Sequence, residues 1–414
     1  MARYSTYGCS GTSEGHCRKT RPNRLNATLR LLFGLSSASA LTPSMATTIT
    51  VNTAQDEIAD NGKCSLREAL ASAGANSAIF ADCPAGSGAD TIVFEPTVFP
   101  PNTLTAISLV SGELVISGDA GAGGWTSISG NGVVALDAQG ADRVLQILSV
   151  SGQPPVYASL NGLTIRNGSS GNGGGIANYG GQLLIDQCTI TGNTASGEGG
   201  GIFMIGGSGL GTTGGTLRMT NSTLSGNQAV HGGGIDVGSS GFLLPSIVQS
   251  TISGNSAATG GGIYIASGPF DLNFVTMTDN TGGGLAIKQV ANTYSRWRNS
   301  IAADSAGGGS CIVGSGFVAP QDLGSNIDNG ATCGFTAAAG SFPNTDPKLG
   351  PLADYGGLTL TYKPTPGSAA VDRITCAAGG FDQRGVPRPQ GLKCDIGAVE
   401  LEDTIFENGF EMGE

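Results

Sequence analysis

Five residues stand where this chain could present chemistry to a ligand. Phe203, Asp236 and Tyr264 each follow the apolar residue that closes a Gly-Gly-Gly run, and Glu198 and His231 each precede such a run. Equivalent positions of a repeat stack, and neighbours along a strand face opposite ways. The spacing therefore predicts an outward column in which Phe203 and Tyr264 lie about 9–10 Å apart with Asp236 between them, the strand spacing being about 4.8 Å. Glu198 and His231 fall at its rim. Aromatic faces separated by carboxylates suit a sugar chain, whose CH faces stack on rings while its hydroxyls bond to acids. The same Glu198 and Asp236 could instead act as the acid and base of a glycosidase. A lyase would need a base beside Ca²⁺ or an Arg such as Arg218, yet neither a tight acidic cluster nor a basic groove is visible in the sequence. Arg296 and Arg298 share an outward parity around Trp297 but stand alone.

Other chemistries fail by counting. With His16 and His231 the only histidines and no CxxC pair present, paired-His zinc sites and Cys knuckles are excluded. The Gly runs are followed by no Lys-Ser/Thr and open no helix, so they read as turns and close packing rather than phosphate cradles. No cofactor and no metal is expected.

The elements that must position the five residues come from a repeat. Gly173–Ile176, Gly199–Ile202, Gly232–Ile235, Gly260–Ile263 and Gly282–Leu285 are copies of one unit, with 26, 33, 28 and 22 residues between successive apolar positions. Between them run Cys188–Asn193, Ser222–Asn227, Ser250–Asn255 and Val275–Asn280, a second unit of Thr, an apolar residue and Asn. Each period is about one coil of a parallel β-solenoid. Ile190, Leu224, Ile252 and Met277 should form one inward column, Cys188, Ser222, Ser250 and Val275 another, and the apolar residues after the Gly runs a third. Cys188 then reads as a buried core thiol. Asn193, Asn227, Asn255 and Asn280 should stack as an amide ladder at the turn.

Composition agrees. The chain has 70 Gly in 414 residues, only 12% charged residues, and 39% apolar ones, enough for a sizeable core. Arg3, Arg18, Lys19, Arg21, Arg24 and Arg30 against Glu14 make residues 1–46 basic by +5, leaving −16 on the remainder of a chain whose formal net charge is −11. An acidic body is a poor partner for nucleic acid. The basic stretch, the short apolar run from Leu31 to Leu35 and small residues near Ala40 or Ala46 read as an export signal. No later segment has the roughly 20 apolar residues of a membrane span. In an oxidising compartment, three sequence-local disulfides are expected, Cys64–Cys83, Cys311–Cys333 and Cys376–Cys394, with Cys188 left over.

The GGG(I/L) and TxGN units resemble the right-handed parallel β-helix of pectin-lyase-like proteins and of the polymorphic outer-membrane proteins, although the latter prefer GGA(I/L) and FxxN. Lys63–Leu70, containing Cys64-Ser-Leu-Arg-Glu-Ala69, resembles the CSLREA-type N-terminal module of secreted bacterial proteins. Physically the same segment is a helical cap: Ser65 and Glu68 make a capping box, and Leu66, Ala69, Leu70 and Ala73 make one apolar stripe. Asp346–Leu352, Gly356–Leu360, Pro366–Asp372, Asp382–Gly385 and Cys394–Glu400 resemble the C-terminal region grouped as choice-of-anchor Q, and the acidic end resembles short sorting tails of some Gram-negative bacteria.

The expected architecture is all-β, a single right-handed parallel β-helix with a short N-terminal α-helical cap. Its parts are a signal peptide at 1–46, the CSLREA-type cap at 47–89, coils at 90–305, a C-terminal β-helix extension and choice-of-anchor Q region at 306–401, and an acidic tail at 402–414. The expected function is an adhesin-like binding module, monomeric, secreted or on the outer surface of a Gram-negative bacterium, with a polysaccharide or cell-surface glycan as partner. A β-helix polysaccharide lyase or glycoside hydrolase is the alternative, and a purely structural envelope component a third.

Overall fold

The computed structural model describes residues 47–402 apart from 118–124, 151–152, 154, 207–214, 239–243 and 377–378. The expected signal peptide and all of the acidic tail beyond Glu402 lie outside the described residues. What is described is a parallel β-helix. Thr47–Val51, Asp90–Phe94, Trp125–Asp137, Tyr157–Arg166, Gln182–Asp186, Thr216–Thr220, Ser246–Ser253 and Pro269–Thr278 follow one another across a large sheet. Leu114–Ser117, Leu145–Leu148, Ile176–Tyr179, Ile202–Ile205, Ile235–Val237, Ile263–Ile265, Leu285–Ile287 and Cys311–Ile312 form a second sheet in the same order. The pairs within both are parallel, because each coil returns to lie beside its predecessor.

The repeat sets the register residue by residue. Ile176, Ile202, Ile235, Ile263 and Leu285 are successive partners, as are Ile190, Leu224, Ile252 and Met277. All are buried in one continuous core. Each such side chain contributes roughly 1.5–3 kcal/mol of apolar burial, which no isolated coil could realise. Cys188 is buried in the same core, its thiol pushed up to about 12 by desolvation, so it is inert.

Amides satisfy the turns between sheets. The side-chain amide of Asn193 donates to Asn227 Oδ1 at 2.9 Å, Asn227 to Asn255 at 2.9 Å, and Asn255 to Asn280 at 3.0 Å. Each also donates to a main-chain carbonyl of the preceding coil, from Ile165, Ile190, Leu224 and Ile252. The residue before each Asn has positive φ, which Gly192, Gly226 and Gly254 adopt freely and Asp279 also adopts.

The helix Leu66–Ala75 closes the N-terminal end. Both halves of its capping box form, Ser65 Oγ accepting from the Glu68 amide and Glu68 Oε2 from the Ser65 amide. Leu66, Ala69, Leu70 and Ala73 bury against the core, while Arg67 pairs with Asp56 at 2.8 Å and donates to the carbonyls of Gly112 and Glu113. The helix thus covers apolar side chains that an uncapped coil would expose. Disulfides join Cys64 to Cys83, Cys311 to Cys333 and Cys376 to Cys394.

The segment expected to extend the β-helix divides in two. Cys311–Ile312, Ile327–Asp328 and Phe342–Pro343 add to the coils. Beyond them the chain turns back: Leu349–Ala353 pairs antiparallel with Thr361–Pro364, and Gly380–Phe381 with Pro387–Arg388. This returning segment lies on the large sheet, where Thr223, Thr251 and Thr276 form an in-register outward ladder. Thr223 donates to the Leu360 carbonyl at 2.5 Å, Thr251 to Gln383 at 2.7 Å, and Thr276 accepts from the Ala398 amide at 3.0 Å. Hydroxyls that would otherwise face water therefore anchor a second layer.

Asn227 is an interior rung of the ladder and, like Asn255, bonds to the coils on both sides. Asn227→Ala removes the side-chain bonds that the Asn193 main-chain and side-chain amides, the Ile190 carbonyl and Asn255 Oδ1 make with it in a buried turn, and about 2–4 kcal/mol of stability should be lost. A chemical-denaturation midpoint indistinguishable from the parent would show that the ladder is ornamental.

Candidate functional site

The column expected from the spacing is assembled in the second sheet. Phe203, Asp236 and Tyr264 are successive register partners, flanked by Ala177 and Ala286 on the outer coils. Glu198 bridges to His231, and His231 to Thr259, one turn earlier on the same coils. Glycine makes this approach possible. A Cβ on Gly200 would lie 2.4 Å from the Gln228 carbonyl oxygen and 2.5 Å from that of Gly233, so the coils meet backbone to backbone just before the column.

Its exposure differs from the expected solvated strip. Phe203 is 3% and Asp236 1% exposed, and Ala177 and Ala286 are buried as well. The cause is a set of rings around the column. Tyr179 meets Phe203 edge-on with centroids 6.1 Å apart, His231 stacks on Tyr264 at 4.9 Å, and Phe317 meets Tyr264 edge-on at 6.2 Å. Glu198, His231, Tyr264, Tyr179 and Phe317 remain half-buried. Asp236 and Phe203 thus lie as a buried floor, with the half-buried residues as a rim around them.

Electrostatically the floor is unusual. Neither carboxylate oxygen of Asp236 has a hydrogen-bond partner, and neither has His231 Nδ1. Burial first, and then the negative charge of Glu198, raise the Asp236 carboxyl to about 8. The Tyr264 phenol is raised too, by burial and then by the charges of Asp236 and Glu198. These three groups therefore share one field, and at neutral pH Asp236 holds a proton. An acid beside a second carboxylate can donate a hydrogen bond or a proton to a bound oxygen.

The remaining candidates lie elsewhere. Arg218 is exposed on the large sheet, in register with Leu184 and Ser246, and takes no part in this cluster. Arg296 makes a two-pronged pair with Asp271, both contacts at 2.6 Å, and Trp297 is buried beneath it with its indole N–H on Ser295. Among the described residues no three His, Cys, Asp or Glu side chains converge as a metal-binding set, and no helix is long and apolar enough to cross a membrane. Sequence reasoning missed Tyr179 and Phe317. Tyr179 shares the outward parity of Ala177 two residues earlier and was legible on that ground; Phe317 comes from a turn outside the repeat and carried no signal.

No protein-family model and no curated protein matches this chain. Among solved structures, a pectate lyase, Pel9A, aligns over 86% of this chain and 96% of its own at 12% identity, with a TM-score of 0.36. Likeness of that degree carries no functional argument, and the fold stands on the strand pairing itself.

The proton on Asp236 has a stability consequence with a definite sign. The folded value lies above that of an unfolded aspartate, near 3.9, so its favourable contribution is complete below that pH and is lost as pH rises towards the folded value. Asp236→Asn removes this titration. Relative to the parent, the variant should gain on the order of 1–3 kcal/mol between acid and mildly alkaline pH, read as diverging denaturation midpoints. Parallel midpoint curves across that range would contradict the protonated carboxyl.

Proposed function

We propose that this chain is an exported binding module, adhesin-like in action, whose ligand is a saccharide held by the cluster of Glu198, Phe203, His231, Asp236 and Tyr264. The observation that carries the reading is the in-register gathering of aromatic rings around a buried carboxyl with no partner of its own. Buried polar groups are nearly always satisfied within the protein; one that is not, at the floor of such a cluster, is suited to a ligand hydroxyl or amine. Three disulfides support an oxidising, extracellular setting. The capped helix at Leu66–Ala75 and the returning segment that clasps the large sheet support kinship with CSLREA-type, choice-of-anchor Q proteins on an outer surface.

One observation favours a second reading. Asp236 stays protonated beside Glu198, the division of roles that acid-catalysed glycoside hydrolysis uses. Under that reading Asp236 would protonate the leaving oxygen while Glu198 served as base or nucleophile.

A glycan array incubated with the purified protein separates the two, reading both retained protein and released saccharide. Binding without release is expected, with Tyr264→Ala weakening it about tenfold through loss of one aromatic face. Release abolished by Glu198→Gln or Asp236→Asn would replace the module with a hydrolase. Absence of both signals would leave a structural component.

A further inference from the structure

The cluster around Asp236 has a charge requirement. Its floor and rim carry two carboxyl groups, Asp236 and Glu198, and the interactions that act on Asp236 are burial and the charge of Glu198, both of which oppose ionisation. No Lys or Arg pairs with either group among the described ion pairs. Elsewhere in the molecule buried acids are answered: Asp382 pairs with Arg384 at 2.8 Å, Glu400 with Arg388 at 2.6 Å, and Glu68 accepts two main-chain amides. Among the described residues, only here is a carboxyl buried with both oxygens empty. Phe203 and Tyr264 are its register neighbours on the coils either side, and the faces of such rings attract positive charge.

Resting on the saccharide reading above, we propose that the ligand carries a protonated primary amine, an amino-sugar residue whose ammonium group is the missing partner of Asp236 and Glu198. The chemistry discriminates among sugars. A uronate would bring a third negative charge to the cluster and be repelled. A neutral hydroxyl offers one donor for two empty oxygens, and an acetamido group offers one N–H with a bulkier substituent. An ammonium offers three donors and the charge that relieves the repulsion between the two carboxyls. On binding, the proton held by Asp236 passes to solvent, the carboxylate forms, and its two oxygens accept from the ammonium N–H groups.

The test is titration calorimetry of the full-length protein with three probes of the same linkage: a glucosamine trisaccharide, its N-acetylated counterpart and the corresponding glucose trisaccharide. At about pH 6.5 the Asp236 carboxyl, with its raised value, is protonated in the free protein, so amine binding should release close to one proton, seen as a heat that changes with buffer ionisation enthalpy. The amine should bind at least tenfold more tightly than either neutral sugar. Asp236→Asn should collapse that preference to within about threefold, and Glu198→Gln, a change at the half-buried rim that leaves the floor intact, should reduce it with the fold unperturbed. Equal binding of the three sugars, or tightest binding of the acetylated one, overturns the amine while leaving the saccharide reading standing. Binding of none overturns both. Amine binding that survives both substitutions and vanishes with added salt reports attraction to an acidic surface and overturns the site.

Discussion

Backbone carbonyls occupy the space into which a Cβ would project from the central glycines of the first four repeated runs, Gly174, Gly200, Gly233 and Gly261. At Gly233 the nearest atoms to such a carbon would be the carbonyl oxygens of Ser256 and Gly261, at 2.5 and 2.6 Å. No side chain larger than hydrogen fits there, so successive coils are held at one strand spacing and in one register. Much else follows from that contact. Ile202 lies over Ile235 and Ile263, the next residues Phe203, Asp236 and Tyr264 lie over one another, and the cluster exists because three residues of different chemistry were placed at one repeat position.

A solenoid built this way must satisfy its turns without help from water. It does so with ladders, in which each group serves the coil above and the coil below. The Asn ladder spans four coils, and a column of hydroxyls runs beside it: the Cys188 amide donates to Ser222, the Ser222 amide to Ser250, and the Val275 amide to Ser300. Against that background the vacant oxygens of Asp236 are conspicuous. Natural proteins break local rules chiefly where function requires it, and a carboxyl kept neutral by burial is a broken rule with chemical capacity.

The two sheets divide the labour of the molecule. The outward hydroxyls of the large sheet are consumed by the returning C-terminal segment, which brings its own buried pairs, Asp382 with Arg384 and Glu400 with Arg388, and lays Arg388 over the ring of Phe274 at 4.6 Å. Buried pairs of this kind are weak contributors to net stability but demanding of geometry. They fix how the segment sits rather than how tightly. The cluster around Asp236 lies instead on the second sheet.

Period and parity were enough to read the coils from the chain itself: inward Ile and Leu columns, the Asn ladder, the Ser65–Glu68 capping box and three local disulfides all depend on neighbours a fixed distance apart. The same logic brought Phe203, Asp236 and Tyr264 into one column and set Glu198 and His231 beside it. Whether that column faces water was not decided locally. Tyr179 and Phe317 reach it from another coil and from a turn outside the repeat, and their rings turn an expected open strip into a cluster in which Asp236 is desolvated. The segment from Leu349, expected to extend the β-helix, turns back instead for the same reason, since a ladder of threonines reads equally well as a solvated face or as an anchor. Repetition reports what a residue stacks on; only the folded chain reports what covers it, because cover comes from segments with no period to read.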